Sequence, residues 1–511
     1  MSAATDAGRS AGWLRRQAAA RWDQLISAWR IAPVRRGFVG TVLITIGSFT
    51  PAYLPQASPF WPLMRWAHLD NPVFKVLGTL LVLGGVGLLV SAWFRLRPWG
   101  DDRDVELYRH VRHWAVLLIW GAPFLLAPPI FSHDAYSYAA QGWLIHNDIN
   151  PYEQGPGVLP GGFADQVAWV WRFTPAPYGP LALQLNHLLV DLSGFDPYIS
   201  ALMMRTPAII GVALIGIFLP RLALLYRVDP ARVAWFGTLN PVLVIDFIGG
   251  AHNDSLMMGL VVLAIWITRV VGWGWVLGAA LVGVAAAIKQ PALLTAYALP
   301  LIHRPWRKLE IGDTLDVIAR AMASLGLAIV TFSLISWWTG LGFGWLNAVN
   351  VPGLVVTVSP FTVIGQALSF LFELLGWTSG AELAVRISRS IGLILAAGTV
   401  AVLAVTVARR KPINFLAYSY LAVAFGAPAL HSWYVLWGGL LLPLTKPSER
   451  TIRVAVWTTV VLLSYAAVNL AVRNGFLSLG VAAIGLYYWL SHTEDRRARR
   501  RLRRQSTKER P

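Results

Sequence analysis

Cysteine is absent from the chain, which excludes disulfide bridges and Cys-ligated zinc or iron-sulfur centres. Charge is scarce too: 13% of the 511 residues are Asp, Glu, Lys or Arg, against 56% hydrophobic, a balance that soluble globular chains do not have. Acidic residues are the rarer sign, 25 Asp and Glu against 43 Lys and Arg, for a net charge of +18. There is neither a Gly-rich strand-to-helix motif nor room for a soluble nucleotide-binding domain, so a nucleotide-activated substrate is disfavoured. Any polar site must be made from His, Asp, Glu, Lys and Arg.

What is present is apolar sequence long enough to cross a bilayer, about 17 to 25 residues at a time, recurring from residue 37 to residue 490. The fold expected is an all-α polytopic membrane domain over 37–490, flanked by basic tails at 1–36 and 491–511. Basic tails beside apolar spans mark the cytoplasmic side and anionic lipid more simply than nucleic acid, and no nucleic-acid partner is expected. In the first tail Trp22, Leu25, Ile26 and Trp29 share one helical face with arginines elsewhere, the pattern of an interfacial amphipathic helix. No signal peptide is read before it; the first span acts as an anchor.

Orienting spans by Lys and Arg in short loops places spans at 37–55, 73–94 and 114–131, with Arg95, Arg97, Arg103, Arg109 and Arg112 inside. Residues 132–204 then form a large external loop, in which 180–194 is too short and polar to cross and reads as an interfacial or re-entrant helix. Arg221, Arg227 and Arg232 fall inside if 205–227 is the next crossing. Further spans are expected at 232–249, 255–272, 274–288, 290–303 and 317–338. A second external region covers 339–384, with a re-entrant piece at 360–377. Spans at 385–408, 413–430, 433–445, 451–470 and 474–490 complete roughly fourteen crossings, which puts both termini in the cytoplasm. No internal repeat of the transporter kind is evident.

On this map the external ends of the spans collect Ser132-His133-Asp134, His252-Asn253-Asp254, Lys289-Gln290 and His431-Ser432-Trp433-Tyr434. Ionisable groups at membrane depth are costly and usually functional. Asp134 is either a helix N-cap or a base that takes a proton from an attacking hydroxyl. His252 and Asp254 serve as turn or cap residues, or face a substrate. They lack a third ligand at helical spacing, so no metal is expected. Lys289 either snorkels to the surface or holds an anionic head group such as a phosphate. His431 and Tyr434 fit an interfacial aromatic belt equally well. Arg205 and Asp246 are expected to pair, and Asp148, Glu153, Asp165 and Asp254 remain alternative bases.

Three further elements, Asp134-Ala-Tyr-Ser-Tyr, Asn150-Pro151-Tyr152 and Tyr178-Gly179-Pro180-Leu181, resemble those of the first large external loop in membrane-embedded glycosyltransferases of the GT-C class. With Ala251-His-Asn-Asp-Ser-Leu-Met-Met, Lys289-Gln-Pro and His431-Ser-Trp-Tyr-Val-Leu-Trp, the chain from about residue 35 to 490 is similar to the polyprenyl-phosphomannose-dependent alpha-1,6-mannosyltransferases of mycobacteria and corynebacteria. That resemblance implies a GT-C fold in the plasma membrane with its active site outside. It implies mannose transfer from polyprenyl-phosphomannose to a mannan or phosphatidylinositol-mannoside-type acceptor, as in lipomannan and lipoarabinomannan synthesis. It gives a role to Asp134, as base of an inverting transfer. Lys289, His252, His431 and Arg205 are then candidates for the donor phosphate, with Asp254, Tyr178 and Tyr434 lining the substrate site, and no cofactor. Other readings are a GT-C transferase of another lipid-linked sugar such as arabinose, or a flippase for such a lipid.

Overall fold

The structure, a computed structural model, describes residues 2–99, 111–304, 310–347, 358–475, 477–485 and 487, with side chains from residue 15. Among the described residues all regular structure is helical, with no strand. Among the described residues five helices are long and apolar enough to cross a membrane: Pro72–Arg95, Pro197–Leu225, Ile311–Trp338, Thr378–Thr406 and Glu449–Val472. Their apolar side chains stay largely outside the protein core; in Thr378–Thr406 only 17% of the apolar window is buried. Outward rows such as Ile387, Ile391, Ile394, Val402 and Val405 would aggregate in water, so lipid is the medium that suits them. The chain is a membrane protein.

Close backbone approach replaces hydrophobic drive where the first helices cross. A Cβ on Gly40 would stand 2.7 Å from the Gly85 carbonyl oxygen, and one on Gly85 2.5 Å from that of Gly40. Larger residues there would separate Ala32–Ser48 from Pro72–Arg95.

The fourteen expected crossings correspond among the described residues to five helices of spanning length, or six if one bent pair is a single span. Shorter apolar helices His113–Leu125, Gly274–Ala286, Pro360–Leu374 and Pro412–Gly426 lie between them. Two expected spans are not continuous helices. In place of 232–249 the chain forms the short helix Pro230–Phe236, then unwinds before the π-helical turn Leu243–Gly249. Proline at 241 disfavours helix at Asn240, whose side chain instead accepts from the Val242 amide at 2.9 Å. The turn then meets Asp254–Val270 at a bend of 113°. In place of 433–445 stand three short turns, Ser432–Tyr434, Val435–Gly439 and Leu442–Thr445. Residues 233–259 are buried without interruption, which is how non-helical backbone survives at membrane depth. The expected span 474–490 lies partly outside the described residues. So do the basic tail 491–511 and parts of the loops after 99, 304 and 347.

The segment 132–204 folds into short helices with a core of their own: Tyr136, Tyr138, Ala139, Phe163, Val167, Leu189 and Val190 pack together with Met204 and Ala251. Helix Pro180–Leu192 has 13 residues, about 20 Å, too short to span.

Candidate active site

Phe131 and Ala251 carry left-handed backbone, φ 61° and 59°. Such strain costs on the order of 1–3 kcal/mol per residue and persists only when the surroundings impose it. Each kink aims the polar residues that follow it into the same space. After Phe131, the Ser132 hydroxyl accepts from the Asp134 amide at 3.0 Å, and His133 turns away to the Tyr53 carbonyl at 2.9 Å. Asp134 opens the helix Asp134–His146, its own amide is taken by Ser132, and among the described residues no helix-end amide donates to its carboxylate, so the carboxylate is not spent as a cap. It keeps 18% exposure, and His252 Nδ1 stands 3.6 Å from its Oδ2, too long for a hydrogen bond.

His252 is fully buried, and among the described residues neither ring nitrogen has a hydrogen-bond partner. Its ring stacks on Trp433 at 3.5 Å, and Trp433 stacks in turn on His431 at 4.4 Å, making a three-ring wall beside Asp134. Asp134 lies outside the spanning helices. Burial pushes its carboxyl up to about 6, Ser132 and the Lys289 charge oppose this, and Asp254 adds to it.

Lys289 does not snorkel free. Its Nζ donates to Asp254 Oδ2 at 2.8 Å, and Trp437 Nε1 donates to the other oxygen at 2.7 Å. The ammonium faces the rings of Tyr434, Trp437 and Tyr178 at 4.7, 5.6 and 5.9 Å, a cage that favours a cation. Asp254 is thus a fully buried counter-ion with both oxygens occupied.

The Tyr178-Gly179-Pro180-Leu181 motif docks on the turn before Lys289. The Gly179 amide donates to Ile288 O at 3.0 Å and the Leu181 amide to Ala287 O at 2.9 Å, while Gln290 Nε2 reaches Pro177 O at 3.3 Å. Asn150-Pro151-Tyr152 supports it from behind: Asn150 Oδ1 accepts from the Tyr152 amide at 3.0 Å, and Tyr152 OH donates to Tyr178 O at 2.8 Å. A Cβ on Gly179 would overlap the Ala287 carbonyl. Gly179→Ala should therefore push the Lys289 turn outward, costing about 1–3 kcal/mol, and lower the unfolding temperature in detergent; an unchanged melt would show that the two segments do not press on each other.

Arg205 and Asp246 do not pair with each other as expected. Arg205 is 3% exposed and donates to the carbonyls of Ala127, Ile248 and Gly249 at 2.5, 3.1 and 3.1 Å, satisfying backbone freed by the broken helix. Asp246 accepts from Ser432 Oγ at 2.6 Å. Among the other carboxylates weighed as bases, Asp165 pairs with Arg172 at 3.2 Å, Glu153 receives Asn150 at 3.4 Å, and Asp148 is exposed. Trp433, Trp437 and Ser432 had no assigned role at the sequence level, although all three sit inside the His431 motif.

Residues 34–304 match the family model for the alpha-(1->6)-mannopyranosyltransferase N-terminal domain, and residues 361–490 match that for the MptB C-terminal domain. The chain is 30% identical over 480 residues, 91% of each chain, to alpha-(1->6)-mannopyranosyltransferase A of Mycobacterium tuberculosis. The chain belongs to the alpha-(1->6)-mannopyranosyltransferase family. The probable alpha-(1->6)-mannopyranosyltransferase of Mycolicibacterium smegmatis is 29% identical, covering 82% of this chain and 80% of its own. Alpha-(1->6)-mannopyranosyltransferase A of Corynebacterium glutamicum is 28% identical, covering 77% and 82%. No solved structure matches. This mannopyranosyltransferase family member is accordingly a glycosyltransferase. The polar cluster draws on both matched regions: Asp134, His252, Asp254 and Lys289 come from the first, and His431, Ser432, Tyr434 and Trp437 from the second.

Proposed function

We propose that the protein transfers mannose from a polyprenyl-phosphate carrier to the 6-hydroxyl of an alpha-1,6-linked mannoside, with inversion at the anomeric carbon. The acceptor is a growing lipomannan or lipoarabinomannan backbone, the membrane is the plasma membrane, and the site faces outward with both termini cytoplasmic. The observation that carries this reading is Asp134: a shielded carboxylate without a capping role or an ion-pair partner within hydrogen-bonding distance, beside a caged lysine and a buried histidine. Asp134 takes the proton of the acceptor hydroxyl as its oxygen bonds to C1 of mannose, and the C1–O bond to phosphate breaks on the opposite face. The departing polyprenyl monophosphate gains charge, which the remaining N–H groups of Lys289 and the imidazoles of His252 and His431 stabilise. Arg205 supports that wall through the backbone it holds. Tyr178 and Tyr434 line the substrate side of the cage, and the distribution of Lys and Arg between the loops supports an outward-facing site.

The test is transfer of labelled mannose by purified protein from polyprenyl-phosphomannose to a short alpha-1,6-mannoside. The product should carry an alpha linkage from a beta donor; a retained configuration would overturn the single displacement. Because the carboxyl is held up at about 6 and the base form is the deprotonated one, the rate should rise about tenfold per pH unit below 6 and level off above it. A profile flat from pH 5 to 8 would show that no carboxyl held up at about 6 governs the rate.

A further inference from the structure

At its far end, about 20 Å from Asp134 along the axis, the helix Asp134–His146 terminates in a second cluster of polar side chains. His146 Nδ1 stands 3.1 Å from Asp191 Oδ1, and His187 Nε2 stands 3.4 Å from Asp191 Oδ2. One ligating atom from each of the three lies within 4.8 Å of the others. His187 and Asp191 are a helical turn apart on Pro180–Leu192, and His146 arrives from the neighbouring helix.

Two imidazoles and a carboxylate are a ligand set for borderline divalent ions, zinc foremost. Ligands about 2.0–2.1 Å from a tetrahedral zinc stand roughly 3.4 Å from one another, and three ligating atoms already within 4.8 Å of one another need only small side-chain shifts to close on an ion. The rings are supported from behind. His146 stacks on Trp143 at 5.1 Å with planes 16° apart, and Phe195 packs against it at 4.4 Å. Gln184 Oε1 lies 3.4 Å from His187 Nδ1, close enough to orient the ring, and with the proton on Nδ1 the Nε2 atom is the one that would ligate a cation held against Asp191. Side-chain exposures of 34%, 28% and 41% for His146, His187 and Asp191 leave room for water as the fourth ligand.

We infer that His146, His187 and Asp191 bind a zinc-class divalent cation that ties helix Asp134–His146 to helix Pro180–Leu192. The first of these helices begins at Asp134 and the second directly after Gly179, so a tie at their far ends holds both motifs in register without touching substrate. The inference does not rest on the transferase chemistry.

The experiment takes the full chain in detergent, stripped with a chelator and titrated with zinc chloride, reading stoichiometry by calorimetry and the unfolding temperature in parallel. One zinc per chain should bind and raise the melt, and magnesium should do neither. His187→Gln and Asp191→Asn should each weaken zinc by more than the roughly 10- to 100-fold lost when a supporting group is removed, while their metal-free melts stay near wild type because the side chains are half exposed. Asp134→Asn should bind zinc normally, which separates this site from the proposed base. Failure of zinc to bind, a zinc-induced shift that survives His187→Gln, or an equal shift with magnesium would each overturn it.

Discussion

Asp134→Asn is expected to lower the turnover rate roughly 10²- to 10⁴-fold, the range a positioned general base contributes, while leaving the fold and donor binding intact. Asn matches Asp in shape, and the carboxylate satisfies no helix-end amide that its loss would expose. His252 stands 3.6 Å away, so no hydrogen bond to it is lost either. What disappears is the capacity to take a proton. Transfer should be measured at saturating donor, with donor binding followed separately on the same preparation. Asp254→Asn is the informative comparison, because both of its oxygens already serve Lys289 and Trp437; it should lower the melting temperature, whereas Asp134→Asn should not. Near-normal turnover of Asp134→Asn would falsify the base assignment and shift attention to Asp254.

The second large effect is on stability. Lys289→Met strands the Asp254 carboxylate, which is 0% exposed, with only the Trp437 donor left. Removing one member of a buried ion pair costs about 3–5 kcal/mol, mostly because the remaining charge is uncompensated. Adding Asp254→Asn removes that charge, so the double variant should recover a large part of the loss, a coupling that a double-mutant cycle reads directly. Transfer should stay low in the double variant, since the cation meant for the phosphate is still missing. Equal melts for Lys289→Met and wild type would mean that the pair is open to water; recovery of activity in the double variant would mean that Lys289 serves only to balance Asp254.

Some of this was legible from sequence for physical reasons. Asp134 stands where an apolar run ends, the Pro72–Arg95 helix matches the expected span 73–94 closely, and Thr378–Thr406 covers most of 385–408 but begins seven residues earlier, in what was expected to be an external region. Hydropathy failed at 232–249 and 433–445 because it registers removal from water, and backbone buried in protein reads the same as a helix buried in lipid. The Asn240-Pro241 pair was the local signal that helix would break there. Side-chain partnerships were hidden by distance along the chain: Lys289 appeared to have no acid near it, yet Asp254 lies 35 residues away. Arg205 showed its charge but not its partners, the carbonyls of Ala127, Ile248 and Gly249, which lie where two apolar runs leave regular α-helix. The His146, His187 and Asp191 cluster escaped notice because it forms only when two loop helices pack.

The ties from Asp246 to Ser432 and from Asp254 to Trp437 reach across 186 and 183 residues, and this has a consequence for biogenesis. A ribosome adding about 5–20 residues per second needs on the order of ten to forty seconds to make that stretch. For that interval the nascent chain holds a broken helix bearing two carboxylates in the membrane with its hydroxyl and indole donors not yet synthesised. The N-terminal region is therefore not a finished unit awaiting an accessory; its charges are completed only when the C-terminal quarter arrives, and the cell must shelter it until then.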